Sequence, residues 1–217
     1  MSPGSDEVVT VLKKLGLARS REFAAAGINP KLLATALKRG FIEQMDRGTY
    51  CLPGFSRQPH ARLLAAAKRV PGSVVCLLSA AHFHGLIDEE PSSVWLAIDS
   101  KSWRPSTSRI ALKTVWFSGD AMSQGMVSRR VNGIAIRVFS PMKTIADLLK
   151  YRNKIGFDLA LQSLRASVAL NRYSPYRLLH FARICRVERL ATEIIHEFGS
   201  GRDFEGRQGR SLWKERL

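Results

Sequence analysis

The sequence predicts an α+β protein with a small N-terminal domain and a larger second domain. Three observations indicate this fold class. Short apolar stripes at helical spacing, each ended by a glycine, fill the first part of the chain. Two hairpin turns follow, Asp46-Arg47-Gly48 and Asn132-Gly133. Beyond Pro141 the pattern is helical alone, so we expect the chain to end in a helical bundle.

The first 55 residues are predicted to form three helices and a hairpin. Ser20 and Asn29 are suitable N-caps, and Pro30 suits the first position of a helix. The predicted elements are helices Glu7–Leu15, Arg21–Ala26 and Pro30–Arg39, followed by strands Phe41–Met45 and Thr49–Leu52. Three helices followed by a hairpin are the plan of a winged helix-turn-helix, so residues 1–55 are predicted to be a DNA-binding domain.

A linker over residues 55–59 is predicted to lead into a mixed α+β domain over residues 60–198. The predicted elements are a helix over 60–69, a helix over 79–84, strands over 94–98, 110–117, 127–131 and 134–139, and four helices from Pro141 onward. An apolar stripe of Phe157, Leu161, Leu164 and Val168 predicts the buried face of one of those helices. Residues 199–217 are rich in glycine and arginine and are predicted to be a flexible tail.

The strongest global feature is a formal net charge of +16, which is spread along the whole chain. A field of that sign attracts double-stranded DNA or another polyanion. No apolar run is long enough to span a membrane, and the N-terminus lacks a secretory signal pattern, so we expect a cytoplasmic protein without a membrane partner. Cys51, Cys76 and Cys185 lie far apart in the sequence, which predicts reduced thiols rather than a disulfide or zinc site.

The third helix is the candidate recognition helix, because an α-helix fits the major groove of DNA. If Leu33, Ala36 and Leu37 face the core, the basic and hydroxyl side chains of this helix face outward. Arginines in the hairpin turn and at the start of the second helix suit contacts with phosphates. The predicted DNA-binding residues are Arg19, Arg21, Lys31, Thr35, Lys38, Arg39 and Arg47.

Two sequence blocks extend this interpretation to a known family. The block REFAAAGINPKLLATALKRGFIEQMDRGTYCLPG resembles the winged-helix domain of AbiEi-family antitoxins, the transcriptional regulators of type IV toxin–antitoxin and phage-defence operons. The segments SAAHFHGL, VWLAI and VFSPMKTIADLLKYRNKIGFDLALQSLR are similar to the C-terminal antitoxin domain of that family. The resemblance implies a repressor that binds inverted repeats in its own promoter. It also implies an antitoxin that counteracts a nucleotidyltransferase-like toxin without requiring a stable complex.

Other functions find weaker support in the sequence. Asp99-Ser100-Lys101, with acidic residues upstream, is the pattern of a metal-dependent nuclease, but the motif is short and common. His82 and His84 diverge on a helix, so we expect a structural role for them and no metal site. A protein-docking adaptor is the other alternative. We expect no catalytic site and no cofactor.

A second basic surface is predicted from the segment KTIADLLKYRNK. Its candidate residues are Lys143, Lys150, Arg152 and Lys154. Such a surface either contacts nucleic acid or is simply a solvated helix face, in which Lys143 pairs with Asp147 four residues later.

Overall fold

The structure is a computed structural model that describes residues 3–102, 105 and 109–199. The α+β class predicted from the sequence is confirmed. The N-terminal part contains helices α1 Pro3–Leu15, α2 Ser20–Ala25 and α3 Pro30–Lys38 and strands β1 Leu17–Arg19, β2 Glu43–Asp46 and β3 Thr49–Cys51. The predicted tail begins at the edge of the described residues, and 200–217 lie outside them.

The N-terminal domain packs its three helices against a small antiparallel sheet of order β1-β3-β2. Its core consists of buried apolar side chains from all three helices, among them Leu12, Phe23 and Ala36. Strand β1, which the sequence interpretation missed, pairs with β3 so that Leu17 lies opposite Cys51. The short length of β1 explains the omission, because three residues carry too little alternation to predict a strand.

Helix α2 begins one residue earlier than predicted. Ser20 is its first helical residue rather than its N-cap. The carboxylate of Glu22 reaches back and accepts a hydrogen bond from the backbone N–H of Arg19 at 2.7 Å. This contact satisfies an amide at the helix start that has no partner within the helix.

The second domain is built around a five-stranded mixed sheet of order β6-β5-β4-β8-β7. The strands are β4 Val74–Val75, β5 Val94–Asp99, β6 Leu112–Phe117, β7 Met126–Val131 and β8 Ile134–Phe139. The predicted hairpin at Asn132-Gly133 is confirmed, with both turn residues at positive φ (49° and 78°) and Val131 opposite Ile134. Positive φ at both positions matches the twist of the flanking strands, which explains the Asn-Gly pair.

Helices cover both faces of this sheet. The helices of the second domain are α4 Ala61–Arg69, α5 Leu77–Phe83, α6 Asp120–Ser123, α7 Pro141–Lys150, α8 Arg152–Ile155, α9 Phe157–Ala169, α10 Pro175–Cys185 and α11 Glu188–Gly199. One face packs against α4 together with Leu17, Cys51 and Phe55 of the N-terminal region. The other face packs against the helices that follow β8, as well as α5.

The linker predicted over residues 55–59 is packed against the second domain. Phe55–Arg57 form a turn of 3-10 helix, and the Phe55 side chain is buried in the same cluster as α4 and the sheet. The amide of Asn132, in the β7–β8 turn, donates to Oε1 of Gln58 at 2.9 Å. Burial of an aromatic side chain within this short segment fixes the connection against the second domain.

The helical end of the chain differs from its predicted stripe at one position. Leu161 and Leu164 are buried on α9 as expected, whereas Val168 is 44% exposed. The smaller residues Ser163 and Ser167 are buried, and their hydroxyls bond to backbone carbonyls of the same helix. Small side chains allow α9 to approach α7 closely, so the buried face is rotated away from the purely apolar stripe.

Candidate nucleic-acid interface

Helix α3 presents a basic, polar face to solvent. Its start is fixed by Asn29, whose side chain accepts a hydrogen bond from the backbone N–H of Lys31 at 2.8 Å. Leu33 and Ala36 are buried in the N-terminal core, as predicted, and Leu37 is half-buried. The candidate residues Lys31, Thr35, Lys38 and Arg39 are all exposed. One side of α3 is therefore buried against the core and the other is polar and exposed, as a recognition helix requires.

The hydroxyl of Thr35 is already engaged within the helix. Its Oγ1 donates to the carbonyl oxygen of Lys31 at 2.8 Å. With the hydroxyl proton used in this bond, the side chain offers its methyl group and the oxygen lone pairs to an outside partner. Such a threonine suits contact with a thymine methyl better than donation to a base.

Three arginines lie around the junction of α2 and the β2–β3 turn. The backbone N–H of Ser20 donates to the carbonyl oxygen of Gly48 at 3.0 Å, which joins the start of α2 to the turn. Gly48 has φ +67°, and an added Cβ would lie 3.3 Å from the Ser20 hydroxyl, so glycine suits this close approach. Because Arg19 and Arg21 flank Ser20 and Arg47 precedes Gly48, the turn brings these cationic residues into one region. Arg21 and Arg47 are exposed and Arg19 is half-buried.

Asp46 has a role in the turn that the sequence interpretation did not assign. Its side chain is fully buried, and Oδ1 accepts hydrogen bonds from the backbone N–H groups of Arg47 at 2.7 Å and of Arg109 at 3.0 Å. The guanidinium of Arg69 on α4 lies 3.5 Å from Oδ2. The sequence signal was present, since an aspartate before Arg-Gly commonly bonds to the turn backbone. Nothing in the sequence pointed to the distant Arg69.

The residue before Arg69 forms a second bridge between the domains. The Lys68 ammonium lies 2.7 Å from Oε1 of Glu22 on α2. Burial by itself raises the pKa of Glu22, but hydrogen bonds and charge from Lys68 and the Arg19 amide outweigh it, and the net pKa is lowered. Helix α4 therefore contacts both the start of α2 and the β2–β3 turn, and it fixes the region where the three arginines lie.

The predicted second basic surface is wrong at one of its four residues. Lys143 is fully buried, and its ammonium lies 2.6 Å from Oδ1 of Asp147 and over the ring of Phe139. The cause is that α7 is enclosed by the sheet and the later helices, so its first turns have no solvent-facing side. Lys150 and Lys154 are exposed, and Arg152 is half-buried and donates to the carbonyl oxygen of Leu149 at 3.1 Å.

The alternative chemistries gain no support from the geometry. The exposed Asp99 carboxylate accepts a hydrogen bond from the backbone N–H of Lys101 at 2.8 Å, as an ordinary turn residue does. His84 ends α5 as predicted, and its Nε2 lies 2.7 Å from the carbonyl oxygen of Phe139. Within the described ranges, no group of three or more His, Cys, Asp or Glu side chains is arranged to hold a metal ion. Cys51, Cys76 and Cys185 are free and buried.

The family comparison addresses the domain that carries the arginines and helix α3. Residues 6–53 match the family model described as the transcriptional regulator, AbiEi antitoxin. Over these residues the chain is similar to the AbiEi regulators. The match confirms the resemblance of the N-terminal block and, with it, the winged helix-turn-helix. The segments that resemble the C-terminal antitoxin domain lie outside the matched residues. None of the curated proteins matches the chain.

The comparison with solved structures extends over nearly the whole chain. The RV2827C protein from Mycobacterium tuberculosis has a crystal structure that aligns with a TM-score of 0.50 at 13% sequence identity. The alignment covers 97% of this chain and 84% of that one. At this identity the likeness concerns the fold alone. Every described helix of the chain is too short or too polar to serve as a membrane span.

The AbiEi match and the geometry overlap at the candidate residues. All seven predicted DNA-binding residues, from Arg19 to Arg47, lie inside the matched segment 6–53. The second basic surface lies outside it. The two bridging residues Lys68 and Arg69 also lie outside, so the second domain supplies contacts to an AbiEi-type domain that the family match does not include.

Proposed function

We propose that this AbiEi-type chain is a sequence-specific DNA-binding repressor that autoregulates its own operon. The observation that carries the proposal is the solvent-exposed basic face of α3, opposite the buried Leu33 and Ala36, within the AbiEi-matched domain. A helix of this kind fits the major groove, where lysine side chains reach guanine acceptors or phosphates. The net charge of +16 adds a general attraction for the duplex.

The candidate residues divide into two roles. Lys31, Thr35 and Lys38 lie on the exposed face of α3 and are proposed to contact base edges. Arg19, Arg21 and Arg47 gather near the β2–β3 turn and are proposed to contact phosphates. Arg39, at the end of α3, is also proposed to contact a phosphate. Binding to an inverted repeat places one chain on each half-site, in keeping with the symmetry of such operators.

The decisive experiment is a gel-shift titration on the DNA upstream of the gene, with shuffled DNA of equal composition as the control. We expect the upstream DNA to bind more tightly, and both complexes to weaken with salt. Lys38→Ala is expected to weaken specific binding by about 1–3 kcal/mol if Lys38 contacts a base. Lys13→Ala is the matched control, since Lys13 is an exposed cation on α1 of the same domain. The proposed recognition helix would be rejected if the wild-type chain bound both DNAs with equal affinity. It would also be rejected if Lys38→Ala and Lys13→Ala lost the same amount of affinity for the upstream DNA.

We also propose that the chain is an antitoxin against a nucleotidyltransferase-like toxin. The AbiEi match of the N-terminal domain supports this role. Co-expression with the adjacent toxin gene tests it by measuring growth. Rescue by the wild-type chain and by Lys38→Ala alike is expected, because neutralisation is proposed not to require operator binding. Failure of the wild-type chain to restore growth would remove the antitoxin role and leave the repressor proposal intact.

Two alternatives have distinct results in the same assays. Cleavage of DNA or RNA that requires Mg²⁺ and is lost in Asp99→Ala would indicate a nuclease. Absence of any salt-dependent DNA binding would favour a protein-docking adaptor.

A further inference from the structure

A half-open cleft of about 700 Å³ lies at the end of strand β6 in the second domain. Its walls come from four places in the chain: the residues after β6, helix α6, the junction of α7 and α8, and the α10–α11 turn. A volume of this size falls within the range of pockets that hold small molecules. Among the described residues, the cleft is lined by the second domain alone, so it is separate from the proposed DNA-binding residues.

Three cationic side chains line this cleft: Lys150, Arg152 and Arg186. The carboxylate of Asp120 is the opposing charge, and none of the three cations forms an ion pair within the described part of the chain. Cations left without a carboxylate partner around a concave surface attract an anion. This arrangement differs from a merely solvated helix face, because the three side chains come from two separate helical junctions and meet at one cleft.

The backbone of Arg186 and the guanidinium of Arg152 are each held by a local hydrogen bond. Arg186 follows α10 in the left-handed region, with φ 61°, and its backbone N–H donates to the carbonyl of Arg183 at 3.0 Å. A left-handed residue commonly ends a helix, and here it fixes the point at which the Arg186 side chain leaves the backbone. The Arg152 guanidinium is held by the carbonyl of Leu149. A restrained guanidinium group such as that of Arg152 loses less entropy on binding, and its planar shape matches the geometry of phosphate oxygens.

The remaining wall residues suit a ligand with an apolar part as well. Ile184 and Val187 contribute apolar surface beside the cations. Cys185 also lines the cleft and donates to Asp147 at 3.1 Å. Burial, with the nearby charge of Asp147, raises the pKa of the Cys185 thiol to about 12, so the thiol stays neutral and does not repel an anion.

We propose that this cleft binds a small phosphate-bearing molecule, with Lys150, Arg152 and Arg186 contacting the phosphate oxygens. The size of the cleft favours a phosphorylated metabolite over a single inorganic ion. The same phosphate chemistry occurs in a nucleic-acid backbone, so the test includes both sources. Two of the three cations belong to the predicted second basic surface, whose function this proposal replaces.

The test measures binding of pyrophosphate and of ATP to the full chain by calorimetry at constant ionic strength, with sulfate and a DNA duplex of unrelated sequence as comparisons. We expect saturable binding of the phosphate probes that is weakened about tenfold or more in Arg186→Asn and in Lys150→Gln, as for loss of a charge-assisted contact. Asparagine is chosen because it tolerates the left-handed backbone of Arg186. Lys154→Gln is the matched control, since Lys154 is exposed nearby but does not line the cleft.

A second variant separates loss of a contact from loss of the fold. Asp120→Asn removes the one carboxylate among the described residues that line the cleft. It is expected to tighten phosphate binding several-fold by removing repulsion, a gain that a damaged fold cannot produce. Absence of saturable binding by either phosphate probe would overturn the proposal. Equal weakening by Lys154→Gln, or an effect of Arg186→Asn on DNA binding alone, would overturn it as well.

Discussion

The Arg69 guanidinium of helix α4 lies 3.5 Å from the buried carboxylate of Asp46 in the N-terminal hairpin turn. The same carboxylate accepts hydrogen bonds from the backbone of Arg47 and Arg109. A single side chain therefore connects the turn that carries Arg47 to two segments of the second domain. The winged domain is held against its neighbour at the place where phosphate contacts are proposed.

Replacing Asp46 by asparagine tests this connection. Asparagine keeps the shape of the side chain but removes the charge that faces Arg69, and it gives up one acceptor. We expect the free energy of unfolding to fall by about 2–4 kcal/mol, in line with the loss of one partner from a buried charged network. Urea denaturation measures this change. Asp88→Asn, at an exposed aspartate, is the control and should change stability by less than about 0.5 kcal/mol. A change in Asp46→Asn as small as that of the control would show that the turn is held by other contacts.

The Glu22–Lys68 bridge predicts a dependence of stability on acid. The pKa of Glu22 is lowered in the folded chain, because its contacts with Lys68 and the Arg19 amide outweigh the effect of burial. A carboxyl group with a lowered pKa stabilises the fold above its ordinary pKa of about 4.3, and that contribution is lost as the pH falls through the lowered value. Stability should therefore decline from about pH 5 downward, in part through Glu22.

Lys68→Met isolates the Glu22 contribution. Methionine keeps an unbranched apolar stem and removes the ammonium, so the pKa of Glu22 is no longer lowered by this partner. The decline of unfolding free energy between pH 6 and pH 3 should be shallower than in the wild-type chain, whereas Lys13→Met should follow the wild type. Identical pH profiles for Lys68→Met and the wild type would contradict a role for this bridge.

The buried Lys143–Asp147 pair predicts a different pattern of stability. Its ammonium and carboxylate lie 2.6 Å apart, and the ammonium also lies over the rings of Phe117 and Phe139. Removing one partner leaves a buried charge uncompensated, so Lys143→Met or Asp147→Leu alone should cost about 3–5 kcal/mol. The double variant Lys143→Met/Asp147→Leu should recover most of that loss, because no charge then remains buried. Denaturant unfolding of all four proteins forms a double-mutant cycle, and strictly additive losses would contradict coupling between the pair.

The sequence predicted those features that depend on local chemistry. Asn29 and Pro30 at the start of α3 and the Asn132-Gly133 turn were identified because their conformational preferences act over a few residues. The burial of Lys143 could not be read in the same way, because it depends on helices that are distant in the sequence. A lysine and an aspartate four residues apart look alike on a solvated helix and on an enclosed one.

In the candidate site as well, local features could be predicted from the sequence and contacts between distant segments could not. The exposed face of α3 was predictable from its period of apolar residues. The contacts of Arg69 with Asp46 and of Lys68 with Glu22 were not, since each joins segments more than twenty residues apart and no local pattern marks them. These contacts are set by packing of α4 against the small domain.

If some residues contact bases and others contact phosphates, variants of the two groups should affect DNA binding differently. Arg21 is exposed near the β2–β3 turn, and an arginine that neutralises one phosphate contributes about 0.9 to the slope of log affinity against log salt concentration. Arg21→Gln should therefore reduce that slope by about one unit and weaken upstream and shuffled DNA to a similar extent. Lys38→Ala should instead weaken the upstream DNA more than the shuffled DNA, since a lost base contact affects the cognate sequence alone. Fluorescence anisotropy at four salt concentrations measures both quantities. If Lys38→Ala instead lowers the salt dependence of affinity but keeps the preference for upstream DNA, Lys38 contacts a phosphate. The base contacts of α3 would then be assigned to Lys31 and Thr35.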